Sequence, residues 1–142
     1  MEKYKDILTN AVLLIFLILA DQATKYIIRF SGGFYVCNSN IALGIKLPEL
    51  LFWITWIVIV SWIIFNFFNF QFSISKYLNF QFFGLTFILS GALSNVIDRL
   101  YFGCVIDFID LKFWPVFNLA DVFITTGVIL ILLDYFRKSK LT

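Results

Sequence analysis

The run LLFWITWIVIVSWIIFNFF, Leu50–Phe68, is interrupted only by Thr55, Ser61 and Asn66. A helix built from it has no polar face to offer water, and its length suits the roughly 20 apolar residues that a bilayer crossing requires. Trp53, Trp56 and Trp62 include side chains suited to anchor it at the membrane interface. This one stretch makes a membrane protein the starting class, and the rest of the chain is read around it.

Upstream, an apolar run from Ile7 to Ala20 resembles the core of a secretory signal peptide. It does not stop at a small-x-small cleavage site. Asp21-Gln22-Ala23-Thr24-Lys25 follows and then Tyr26-Ile27-Ile28, so an uncleaved first span over about 7–28 is expected. Downstream, a third span runs over about 82–102 and turns polar at Ser94, Asn95, Asp98 and Arg99, and a fourth covers about 119–136. Between the first two spans, Ser31-Gly32-Gly33 breaks the helix and Pro48 closes a segment rich in Gly, Asn and Ser, which reads as a small extended lobe over about 31–48. Residues 69–80 and 103–118 read as loops. The expected architecture is an integral membrane protein, mainly α, forming one domain over residues 1–142.

Composition agrees and excludes several functions. Of the 142 residues 61% are hydrophobic and 14% charged, which is outside the range of water-soluble domains. A net charge of +2, with its cations scattered, gives no nucleic-acid footprint. The chain has no histidine, which removes Ser-His and Cys-His nucleophiles and histidine metal sites together. Neither a metal nor a cofactor is expected. Cys37 and Cys104 lack paired spacing and allow two free thiols or one disulfide, with free thiols favoured because small apolar sites often accept Cys.

Four spans put both termini on one side. That side collects Lys3, Lys5, Lys76, Arg137, Lys138 and Lys140, against Lys46 and Lys112 in the opposite loops, so the termini are expected in the cytoplasm. Lys25, Arg29 and Arg99 lie nearer the outer face. So do Asp21, Asn38, Asn95, Asp107 and Asp121.

Polar groups in a span usually mark a path, a pair or an active site. Gly91, Asn95 and Arg99 recur at i, i+4 on one stripe, which should face protein, and Asn118 and Asp121 stand at i, i+3 where the fourth span begins. Two neighbouring carboxylates share a proton: the ionised one takes a proton from water while the protonated one polarises a carbonyl. On spacing alone Asp98, Asp107, Asp110 and Asp121 all remain candidates for that pair. The competing class is a non-enzymatic membrane protein using the same residues to bind ions or join helices. One-sided polarity and the absence of an internal repeat weigh against a transport path.

Five ordered blocks carry a resemblance: Asp21-Gln22-Ala23-Thr24-Lys25, Asn38-Ser39-Asn40-Ile41-Ala42, Gly91-Ala92-Leu93-Ser94-Asn95-Val96-Ile97-Asp98-Arg99, Val105-Ile106-Asp107-Phe108 and Phe117-Asn118-Leu119-Ala120-Asp121. Together they resemble the bacterial lipoprotein signal peptidases, the signal peptidase II family of aspartic endopeptidases. The resemblance implies four transmembrane helices with a small extracytoplasmic β-cradle, in the bacterial inner membrane. It implies a diacylglyceryl-modified prolipoprotein substrate, cut on the amino side of its lipidated cysteine; membrane lipid is the other expected partner, and since nothing in the sequence requires an oligomer, a monomer is expected. It places the catalytic pair at Asp107 and Asp121. Asp21, Asn38, Gly91, Asn95, Arg99, Asn118 and Ala120 match supporting positions, and Lys25 joins them one helical turn from Asp21. The chain departs from the family pattern where Asn40 and Ile41 replace the usual Gly-Ala.

Overall fold

The computed structural model describes residues 2–39, 48–72 and 80–139. Its elements in chain order are α1 (Glu2–Phe30), β1 (Val36–Asn38), α2 (Glu49–Phe72), α3 (Phe80–Phe102), β2 (Val105–Asp107) and α4 (Leu119–Ser139). Each helix runs past the span expected from hydropathy, because backbone hydrogen bonding continues beyond the last residue that hydrocarbon would select. The expected loop at residues 69–80 is corrected accordingly: Asn69 and Gln71 lie on α2, and residues 73–79 fall outside the described residues. Among the described residues α1, α3 and α4 are long and apolar enough to cross a membrane, while α2 contributes the shorter apolar stretch Trp53–Phe65.

Burial is inverted relative to a water-soluble protein. The largest fully enclosed side chains are Asn118, Thr86, Asp21, Asp98, Asp134, Ser90 and Ser94, all polar, while Leu19, Ile27, Val58, Trp62 and Leu133 point outward. Hydrocarbon as the solvent accounts for both facts, since polar side chains then have to find partners inside the bundle. A small apolar cluster of Val60, Ile63, Leu85 and Leu89 fills the space between α2 and α3.

The tightest contact is between the antiparallel helices α3 and α4. A Cβ at Gly84 would come within 2.7 Å of the Gly127 carbonyl, one at Gly127 within 2.5 Å of the Gly84 carbonyl, and one at Gly91 would overlap the Ala120 carbonyl. Absent side chains thus let the two backbones touch at two levels, seven residues apart on each helix. Gly103, with φ +71°, then ends α3, its N–H returning to the Arg99 carbonyl at 3.0 Å.

The surface lobe differs from expectation in where its sheet comes from. β1 pairs antiparallel with β2, Val36 opposite Asp107, Cys37 opposite Ile106 and Asn38 opposite Val105. The partner strand therefore lies in the segment read as a loop after α3. A further bridge, Ile109 with Phe117, folds the rest of that segment back toward α4. Residues 40–47, including Asn40 and Ile41, are outside the described residues. The preference for free thiols is also corrected: Cys37 and Cys104 form a disulfide, with Cα atoms 5.4 Å apart, because strand pairing brings their backbones together across 67 residues.

Candidate active site

Asn118 is the point at which the site is assembled. It caps α4, its Oδ1 accepting the Asp121 N–H at 3.0 Å while the Asp121 carboxylate accepts the Asn118 N–H at 3.2 Å, a reciprocal capping box. The Asn118 amide nitrogen faces away from the helix and donates twice, to Asp107 Oδ1 at 2.6 Å and to Asn95 Oδ1 at 3.0 Å. One buried side chain thereby sets the end of α4, the end of β2 and the middle of the α3 stripe in fixed relation.

Both carboxylates are held at both oxygens. Asp107 also accepts from the Asn38 amide at 2.8 Å, and Asp121 from the Asn95 amide at 2.9 Å. All of these donors are neutral amides. Asp107 is 2% exposed, and that burial pushes its carboxyl up to about 6; the nearby charge of Asp121 adds to the rise, while the Asn38 and Asn118 amides oppose it. Asp107 and Asp121 open onto one cleft of about 220 Å³, whose wall also includes Asn38, Asn95 and Arg99 with Trp56, Val96, Val105 and Ile124. Arg99 reaches the Ser39 carbonyl at 3.4 Å.

Behind the cleft lies a second layer of charge. Lys25 is 2% exposed and its three ammonium hydrogens are matched by three acceptors: Asp21 at 2.7 Å, Asp98 at 2.8 Å and Asn95 Oδ1 at 3.0 Å. Asp21 in turn accepts from the Ser94 hydroxyl at 2.7 Å and the Ala120 N–H at 3.0 Å. Asp98 accepts from Gln22 at 2.9 Å and from the Ile106 N–H at 3.0 Å. A cation and two anions placed deep in the bundle are thus tied to both segments that carry the cleft carboxylates.

The expected residues therefore converge, with distinct duties. Asp107, Asp121, Asn38, Asn95 and Arg99 line the cleft; Asn118 joins the two carboxylates; Asp21 and Lys25 sit behind them; Gly91 and Ala120 supply the close helix contact. Of the other spacing candidates, Asp98 belongs to the Lys25 layer. Asp110 pairs at 2.6 Å with exposed Lys112 in the loop, and that hydrogen bond holds its carboxyl below the usual range. Gln22, Ser94 and Asp98 were given no supporting role by sequence reasoning. A signal was present, since Ser94 and Asp98 are one turn apart on α3, just as Asp21 and Lys25 are on α1. Among the described residues no group of three or more Cys, Asp or Glu side chains is placed to hold a metal ion.

A pair of carboxylates fed only by neutral donors and opening on one cleft is suited to hold one proton between them, and so to act on water as base and on a carbonyl as acid. The comparisons with known proteins give the family. The family profile described as signal peptidase (SPase) II, peptidase A8, matches residues 13–137. The lipoprotein signal peptidase of Moorella thermoacetica is 38% identical over 135 residues, 84% of this chain and 88% of the relative. That of Rickettsia prowazekii is 33% identical over 147 residues, 90% of this chain and 75% of the relative. A bacterial membrane enzyme solved by the in meso method at 2.3 Å superposes with a TM-score of 0.76 at 30% identity, covering 92% of this chain and 89% of that one.

Proposed function

This chain belongs to the signal peptidase II family, and on that premise we propose that it removes signal peptides from diacylglyceryl-modified bacterial prolipoproteins, as an aspartic endopeptidase cutting on the amino side of the lipidated cysteine. The observation that carries the chemistry is the joining of Asp107 and Asp121 through Asn118 on one cleft. In the ground state the pair holds one proton and one negative charge. The ionised member takes a proton from a water molecule, whose oxygen attacks the scissile carbonyl. The protonated member donates to the carbonyl oxygen as charge grows there. Collapse of the tetrahedral intermediate breaks the C–N bond, and the nitrogen leaves with a proton from the pair. Asn38 and Asn95 keep the two carboxyls aimed at the cleft, and Arg99 supplies the cation at its rim.

The whole chain acts as one membrane-embedded domain and as a monomer, in the bacterial cytoplasmic membrane. α2 is its fourth span, both termini face the cytoplasm, and the cleft opens at the outer interface. A substrate with a spanning signal helix and two acyl chains then reaches the cleft by lateral movement in the bilayer, with no cofactor.

The test is cleavage of a diacylglyceryl-modified prolipoprotein by the purified chain, beside Asp107→Asn and Asp121→Asn. Each variant is expected to lose roughly 100- to 10,000-fold in turnover while remaining folded, the range that general acid–base groups supply. Normal cutting by both variants would remove the dyad, and an intact substrate with the native chain would remove the peptidase reading.

A further inference from the structure

The proposed chemistry does not use the disulfide, yet the disulfide adjoins the residue that addresses one of its carboxyls. Cys37 directly precedes Asn38 in β1, and Cys104 lies between α3 and β2. Asn38 donates to Asp107 Oδ2 at 2.8 Å, and the ladder sets Val36 opposite Asp107 and Asn38 opposite Val105. The covalent link therefore joins the segment that carries Asn38 to the segment that carries Asp107.

The two strands are not equally well held. β2 is buried along its length and is pinned from α3, where Asp98 accepts the Ile106 N–H at 3.0 Å. β1 is exposed at Val36 and Cys37. Among the contacts that fasten it are the three-residue ladder, the Arg99 contact to the Ser39 carbonyl, the Asn38 amide and the disulfide. A two-stranded ribbon this short is marginal alone. We propose that the Cys37–Cys104 disulfide is a positioning element of the active site, which keeps Asn38 on Asp107 and makes cleavage sensitive to dithiol reductants.

The reductive step is simple thiol–disulfide exchange. A thiolate of the dithiol attacks the Sγ of Cys37, the more exposed residue of the pair, and Cys104 leaves as a thiolate that takes up a proton. The reductant's second thiolate then attacks its own sulfur in the mixed disulfide, closing a cyclic disulfide and freeing Cys37 as a thiol. Two electrons pass from the dithiol to the protein.

Loss of Asn38 from Asp107 has a signature that general loosening lacks. Among the described residues the charged groups near Asp107 are Asp121 on α4, Lys25 on α1 and Arg99 on α3, and the Asn38 amide is a neutral donor that opposes the upward push of burial on the Asp107 carboxyl. Without that donor, the alkaline limb of the cleavage profile moves to higher pH.

The inference rests on the peptidase reading, so the experiment separates the two. Native protein in detergent is assayed on diacylglyceryl-modified prolipoprotein before and after dithiothreitol and thiol alkylation, with mass spectrometry reporting the bond. Because the folded native chain is reduced in place, no variant has to fold. Reduction is expected to lower kcat/KM roughly tenfold, the loss of about one hydrogen bond, and to raise the alkaline limb. Cys37→Ser with Cys104→Ser should match the reduced native protein and ignore dithiothreitol. Asn38→Ala should show no further shift on reduction. Cleavage and pH profile unchanged by verified reduction would overturn the disulfide proposal alone, as would an equal further loss in Asn38→Ala, or free thiols in the native protein. A native chain that leaves substrate intact would instead remove the peptidase reading and this role with it.

Discussion

Both ends of the helix bundle bury an aspartate beside a cation one turn away, and they do so in different ways. At the cleft end Lys25 is itself enclosed and bonds across to α3, through Asp98 and Asn95 as well as to Asp21 on its own helix. At the opposite end Asp134 is fully buried, but its ion-pair partners Arg137 and Lys138 lie on the same helix, their side chains are 49% and 53% exposed, and Arg137 meets α3 through its guanidinium over the Phe80 ring. The cluster at the cleft cannot be altered without disturbing three helices and the cleft. The ion pairs of the opposite one neutralise its carboxylate within α4. The two buried aspartates thus differ in how many helices their ion pairs tie together.

The comparison breaks most visibly at Lys25. Lys25→Met leaves Asp21 and Asp98 enclosed with no counter-charge, and removing one partner of a buried ion pair costs about 3–5 kcal/mol. We expect a large fall in thermal stability in detergent and loss of cleavage. A variant as stable and active as the native chain would show that the Lys25 network is as dispensable as a surface pair.

Next in size come the two glycine contacts between α3 and α4. Gly84→Ala and Gly91→Ala each force a methyl against a backbone carbonyl, and overpacking of this kind costs typically 1–3 kcal/mol. Both should lower the melting temperature. Only Gly91→Ala should also lower kcat, because it pushes Ala120, whose N–H is bonded to Asp21 and which adjoins Asp121. Equal effects on kcat would erase the difference between the ends.

Smaller, and opposite in sign, is the effect of neutralising Asp107. Its carboxyl is raised from the ordinary 3.8 to about 6, so the folded state binds this proton more tightly than the unfolded state does. The stability it confers is complete below pH 3.8 and is lost as pH rises through about 6. Asp107→Asn should therefore melt higher than the native chain at pH 8, by on the order of 1 kcal/mol after allowing for solvent screening at the open cleft, and the gain should vanish below pH 4. Because the pair titrates together, kcat/KM of the native chain should fall on the alkaline side as the shared proton is lost, at or above about pH 6.

How much of this was legible in the sequence follows the same division. The helices were readable because hydrocarbon selects long apolar runs, and the shared cleft of Asp107 and Asp121 could be expected because five short blocks carry them in the order of the family they resemble. Spacing alone left four aspartates, since it cannot tell that Asp98 turns toward Lys25 or that Asp110 turns toward Lys112. Gln22 was silent because its role exists only once α1 faces α3, where it bonds Ser94 and Asp98. The disulfide was hidden for a related reason: the register of two three-residue strands brings together cysteines 67 residues apart, and neither strand has enough periodicity to declare itself.

The smallest expected effect tests the end of the bundle away from the cleft. In Arg137→Gln, Asp134 keeps Lys138 at 2.6 Å, so the loss is that of one partly exposed i, i+3 contact, about 0.3–0.5 kcal/mol, together with the weak contact of its guanidinium 5.4 Å over the Phe80 ring on α3. Cleavage should be unchanged, since no described residue at this end lines the cleft. The informative comparison is with Asp134→Asn as background: there the carboxylate that Arg137 neutralises is gone, and Arg137→Gln should cost only what the ring contact is worth. If Arg137→Gln instead lowered kcat, the contrast between the two ends would not hold.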